Sequence, residues 1–212
     1  LMPALYAPII AMLLGLIFRG VSFEFRARAD RSQFLWDFGF AGGSIVAAFA
    51  QGIALGALVQ GIAVDNRAYV GGWWDWLTPF SLLTGAALVI GYALLGATWL
   101  VMKTEGRLAE DARRFARISG WATFALIALV SLITPFLNPV YLERWFAWPT
   151  AVFSVIVPAL LLGCGWMLHR GLAERRDATP FLAALGVFVL CYVGLLIGFY
   201  PYIVPPSITL WQ

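Results

Sequence analysis

Six ionisable residues stand at the edges of long uncharged runs: Arg19, Glu24, Arg26, Asp37, Lys103 and Glu105. Arg19 directly follows eighteen uncharged residues, and Asp37 opens another run beside Trp36. Charges at the rim of an apolar layer are placed to pass protons or to dock a partner. Glu24 and Arg28 are four apart, so a continuing helix pairs them. A plainer reading competes: a snorkelling arginine followed by a solvated helix end. Asp37 would then cap the next helix and favour its N-terminal dipole. Lys103-Thr104-Glu105 carries the same two readings.

Other chemistry has little to stand on. The chain has one histidine, His169, beside Arg170. A haem held by two histidines needs a partner on another helix. Met12, Met102 and Met167 would serve only as axial ligands, and they read as packing residues. No His/Cys or carboxylate cluster has metal spacing. No G-x-S-x-G or phosphate loop is present, and no catalytic residue is assigned. Cys164 and Cys191 sit in apolar runs at different depths, which disfavours a bridge. A net charge of +3 does not argue for nucleic acid.

The elements that must position the six residues follow from charge layout. Hydrophobic residues make up 62% of the chain and charged ones 12%, against about 25% charged in soluble domains. Six runs carry no charge: 1–18, 38–64, 77–102, 118–142, 145–168 and 178–212. About 20 apolar helical residues cross a bilayer. Backbone amides in lipid must pair within the segment, and unbroken apolar runs exclude alternating barrel strands. The expected fold is therefore all-α, a polytopic transmembrane bundle of six spans. The gaps hold 4, 1, 5, 1 and 3 basic residues in order, with Arg31 in the first and Arg67 and Arg144 alone in theirs. By the positive-inside rule, loops 19–37, 103–117 and 169–179 are cytoplasmic. They also face anionic lipid.

Finer expectations concern packing. Gly39/Gly43 and Gly52/Gly56 in the second span have the spacing that lets helices approach. Residues 103–117 read as an amphipathic loop helix with Leu108, Ala112 and Phe115 on one face and Glu110, Asp111 and Arg114 turned to water. Asp65-Asn66-Arg67 and the cluster Trp73, Trp74 and Trp76 mark an outer loop, as do Tyr141, Trp145 and Trp148. Pro158 is expected to kink its helix, and Pro201, Pro205 and Pro206 to end the last one. Gln51, Gln60, Thr84, Thr98 and Ser131 are read as packing glue. Residues 1–212 form one membrane domain, taken as an internal piece because Leu1 begins within a span and Gln212 ends an apolar stretch.

Several motifs in order resemble subunit II of the cytochrome bd family of quinol oxidases, nearest its cyanide-insensitive branch. Gly15-Leu16-Ile17-Phe18-Arg19-Gly20-Val21-Ser22-Phe23-Glu24-Phe25-Arg26 resembles that family's third-helix signature. Trp36-Asp37, Gly43-Ser44, Gln51-Gly52, Gly56 and Gln60-Gly61 fit the next helix. Thr78-Pro79-Phe80-Ser81-Leu82-Leu83-x-Gly85 and Gly96-Ala97-Thr98-Trp99-Leu100-x-x-Lys103-Thr104-Glu105-Gly106 fit the one after. Phe199-Tyr200-Pro201-Tyr202 with Pro205-x-Ser207-x-Thr209 fits a late outer end.

The resemblance implies helices three to eight of about nine, in a bacterial cytoplasmic membrane. It implies a complex that oxidises quinol with oxygen and adds to the membrane potential. Haems b and d would belong to subunit I, the partner, and this chain would ligate none. Its part would be a scaffold, the lining of a proton or oxygen path, or a quinone site. Arg19, Glu24, Arg26, Asp37, Lys103 and Glu105 are then candidates for proton entry or assembly. Two other classes remain open. A secondary transporter needs broken helices and a buried coupling charge near mid-membrane. A purely structural membrane protein would purify without haem absorption.

Overall fold

The computed structural model describes residues 2–29, 32–65, 68–137, 145, 147–148, 150–200, 202–204 and 208–209. The readings made for Arg31, Asn66, Arg67, Tyr141, Arg144, Pro201, Pro205, Pro206 and Ser207 lie outside the described residues, as do the chain ends. Among the described residues, six helices are long and apolar enough to cross a membrane. They are α1 (Met2–Arg26), α2 (Gln33–Gln60), α3 (Pro79–Lys103), α4 (Gly106–Leu137), α5 (Thr150–Ala173) and α6 (Thr179–Phe199). The fold is all-α with two small ribbons in connecting segments. One pairs β1 (Val64–Asp65) with β2 (Ala68–Tyr69), the other β3 (Tyr202–Val204) with β4 (Ile208–Thr209), both antiparallel. Trp145 and Trp148, between α4 and α5, are exposed.

Two boundaries differ from the sequence reading. The 19–37 segment is mostly helix, because α1 runs on to Arg26 and α2 begins at Gln33. The 103–117 segment is not a separate loop helix. Residues 106–117 form the first turns of α4, continuous with the span that follows. Charged residues at a helix end need no break, since water receives their heads while the backbone stays paired. Only Thr104 and Glu105 separate α3 from α4, and Gly106 closes that turn at φ +67°, a left-handed value that suits glycine. α5 continues as one helix through Pro158.

The chain forms two compact units, Leu1–Val89 and Ile90–Gln212, the boundary falling inside α3. In the first unit, small residues set the packing. A Cβ on Gly43 would lie 2.6 Å from the Gly15 carbonyl oxygen, and one on Gly39 2.6 Å from Ser22 Oγ. On Gly52 it would meet Gly85 Cα at 2.6 Å, and on Gly56 Ser81 Cα at 2.7 Å. The first glycine pair of α2 thus faces α1 and the second faces α3. Such close approach is what binds helices where lipid competes equally for apolar side chains. Thr84 Oγ1 sits 2.8 Å from the Gly52 carbonyl oxygen, and Thr78 Oγ1 donates to Gln60 Oε1 at 2.6 Å.

The second unit is built around Leu94, Ala97, Ala116, Leu168, Leu172, Ala183 and Ala184, from four helices. Tyr92 stacks on Phe188 with centroids 5.6 Å apart, and Trp99 meets Phe181 edge-on at 5.1 Å. The inward face of early α4 corrects the sequence expectation. Ala109, Ala112 and Ala116 are buried, while Leu108 and Phe115 are 55% and 53% exposed. Small side chains win the helix contact because they bring backbones together.

Candidate boundary site at the helix ends

In the first unit, four of the six sequence candidates gather where α1 ends and α2 begins. Helix periodicity and the six-residue link between the two elements bring this about. Arg26 Nε donates to Asp37 Oδ1, and its Nη2 lies 3.5 Å from Oδ2, a fork on a carboxylate across the turn. Phe25 stacks on Trp36 beside this pair at 5.1 Å. Arg28 Nη2 lies 3.8 Å from Glu24 Oε1, the four-residue pair expected on a continuing helix. The Arg19 guanidinium lies 5.3 Å from the Phe40 ring centroid, where the Gly15–Gly43 approach brings α1 against α2. Snorkelling and a cation–π contact describe Arg19 together.

Beside these charges is a groove of about 300 Å³ lined by Phe18, Ser22, Ser32, Leu35, Trp36 and Gly39. Ser22 is buried against Gly39. Its hydroxyl and that of Ser32 are the polar groups in an otherwise apolar wall. Sequence reasoning had passed over both serines. The signal that would have found Ser22 is its position between two candidates, Arg19 and Arg26, on one side of α1.

Lys103 and Glu105 belong to the second unit. Lys103 Nζ lies 5.2 Å over Trp99, and Glu105 is exposed in the α3–α4 turn. Ion pairs gather the two basic segments of this unit at one end. Arg113 Nη2 donates to Asp177 Oδ1 at 2.7 Å, and Arg175 lies 3.7 Å from Glu110. Arg170 Nε donates to Glu174 Oε1 at 2.5 Å, with Arg176 on the other oxygen at 2.8 Å. The hydrogen bond from Arg170, aided by the charge of Arg176, holds the Glu174 carboxyl below its ordinary range. Elsewhere, Tyr69 donates from its hydroxyl toward Gly72 and Asp75, and its phenol is pushed up, mainly by burial.

His169 packs at a tilt against Trp121 with centroids 4.5 Å apart, and its Nε2 is buried. Among the described residues no three His, Cys, Asp or Glu side chains group as metal ligands. Cys164 and Cys191 are free.

Six bilayer-length helices with charges held at their ends define a multi-pass membrane protein. The family model described as cytochrome bd terminal oxidase subunit II matches residues 1–212. The chain belongs to that family. A probable cytochrome oxidase subunit 2 of Haemophilus influenzae is 34% identical over 132 residues, covering 59% of this chain and 34% of the relative. The cytochrome bd-I ubiquinol oxidase subunit 2 of Escherichia coli K12 is 34% identical over 134 residues, covering 60% and 35%. The cytochrome bd ubiquinol oxidase subunit 2 of Bacillus subtilis is 24% identical over 210 residues, covering 96% and 59%. The matched part of the chain spans between about a third and three fifths of the length of these relatives.

Proposed function

We propose that this chain works as the membrane body of subunit II in a cytochrome bd-type terminal oxidase. Quinol is oxidised to quinone and dioxygen is reduced to water in the complex, with protons drawn from the cytoplasm. The observation that carries this reading is the family match over residues 1–212. Haems b and d reside in subunit I, the partner, and this chain supports it as a haem-free scaffold within one membrane domain. The membrane is the bacterial cytoplasmic one, with loops 19–37, 103–117 and 169–179 inside. The meeting of the last two at one end of the second unit supports their common side.

Arg19, Glu24, Arg26 and Asp37 act as a boundary cluster for proton entry or for docking subunit I, with Lys103 and Glu105 in the same service. The groove over Ser22 and Ser32 lies beside the first cluster and is a place for a quinone ring. The test is Glu24→Gln and Asp37→Asn in the full-length subunit with its partner. Reduced oxygen consumption in an intact, haem-loaded complex supports proton entry. Loss of the partner supports docking. Unchanged assembly and unchanged oxygen consumption remove both roles.

A further inference from the structure

Three tryptophans at one end of the second unit each have a cation one helical turn further out. Trp99 precedes Lys103, which lies 5.2 Å over its ring. Trp166 precedes Arg170, which lies 4.8 Å over its ring. Trp121 follows Arg117 on α4, and its ring is held by His169. All three rings are exposed, Trp121 by 65%. Exposed indoles capped by snorkelling cations mark the headgroup level of a bilayer.

Above that level the arginines of α4 are sorted by face. Arg113 points inward, with a side chain 15% exposed, and is used by Asp177. Arg107, Arg114 and Arg117 point outward, and among the described residues no carboxylate lies within ion-pair distance of them. Arg114, Arg117 and Trp121 fall at i, i+3 and i+7, with Arg107 one heptad earlier, so they share a stripe. Asp111 lies on the same stripe and pairs with none of them, which leaves the stripe net positive. Glu110 is turned aside to Arg175. Below Trp121 the stripe continues as exposed Leu129 and Leu132, with Ile118 beside it.

We propose that Arg114, Arg117 and Trp121 form a binding site for an anionic phospholipid, the arginines taking the phosphate and the apolar stripe the acyl chains. A cationic patch at headgroup depth that runs on into an apolar face complements this one amphiphile in both charge and length. The site stands on the geometry of α4 and is independent of the oxidase assignment.

The probe is phosphatidylglycerol against phosphatidylcholine, offered to the complete protein in the complex in which it is isolated. Retained lipid is counted by native mass spectrometry. Wild type is expected to retain phosphatidylglycerol preferentially, with retention falling about fivefold for each arginine removed in R114Q/R117Q. R114K/R117K restores most of it, because charge carries the contact. R113Q, which removes an arginine already buried and engaged by Asp177, leaves it unchanged. Equal retention of the two lipids by wild type, or no change in R114Q/R117Q, overturns the proposal. So does loss of a protein subunit from R114Q/R117Q but not from R113Q, since protein then covers this face. If R114Q/R117Q cannot be isolated, wild type is washed in about 1 M salt, where screening reaches only about 3 Å. A preference that survives that wash overturns the proposal, and one that it abolishes supports it.

Discussion

Arg26 and Asp37 close the α1–α2 turn with a forked ion pair between the last residue of one helix and the first turn of the next. Both side chains are half exposed, so the pair orients the turn more than it stabilises the protein. Asp37→Asn should leave the thermal midpoint close to wild type. It should speed hydrogen exchange of the backbone amides of Arg28 and Ala29, an effect that shrinks as salt rises. Hydrogen exchange measured at low and high salt checks both parts. A large loss of global stability would mean that the pair does more than orient the turn.

The glycine contacts of α2 carry more energy. Gly52→Val places side-chain atoms where Gly85 Cα already stands, and overpacking of this kind costs about 1–3 kcal/mol. Gly42→Ala, at a position of α2 with nothing within 4 Å, should be tolerated. Unfolding of both variants in mixed detergent micelles separates a packing role from mere helix propensity.

Glu174 makes the α5–α6 turn sensitive to acid. Its carboxyl is held low in the folded protein, chiefly by the Arg170 hydrogen bond. The stabilisation is therefore present above the ordinary carboxylate pKa of about 4.3 and is lost as pH falls through the lower folded value. The protection factors of residues 171–178, which correct exchange for its intrinsic pH dependence, should stay flat from neutral pH to about 5 and fall below about 4. Glu174→Gln should remove most of that acid step.

Arg175 ends α5 in the left-handed region, at φ 54°. The Arg176 amide donates back to the Gly171 carbonyl at 2.9 Å, as in a Schellman turn that usually places glycine at this position. Arg175→Gly should relieve the strain and raise stability by about 0.5–1 kcal/mol, despite losing an exposed contact to Glu110. A lower unfolding midpoint would show that the Glu110 contact outweighs the backbone term.

The boundary site was legible in parts. The Glu24–Arg28 pairing follows from a spacing of four on one helix, and the sequence alone shows it. The Arg26–Asp37 fork joins two helices, and only the length and path of the turn bring those residues together. Ser22 drew no attention because a lone serine beside a rim arginine has no distinctive pattern until Gly39 closes over it.

Six spans and the all-α class were determined by the sequence itself. A run of uncharged residues long enough to cross a bilayer admits helix and nothing else, whatever its neighbours. Which side of each helix packs was decided only by tertiary structure. Amphipathic spacing alone points to Leu108 and Phe115 as the buried face of early α4, but the contact fell to Ala109, Ala112 and Ala116, whose small size lets the backbones close.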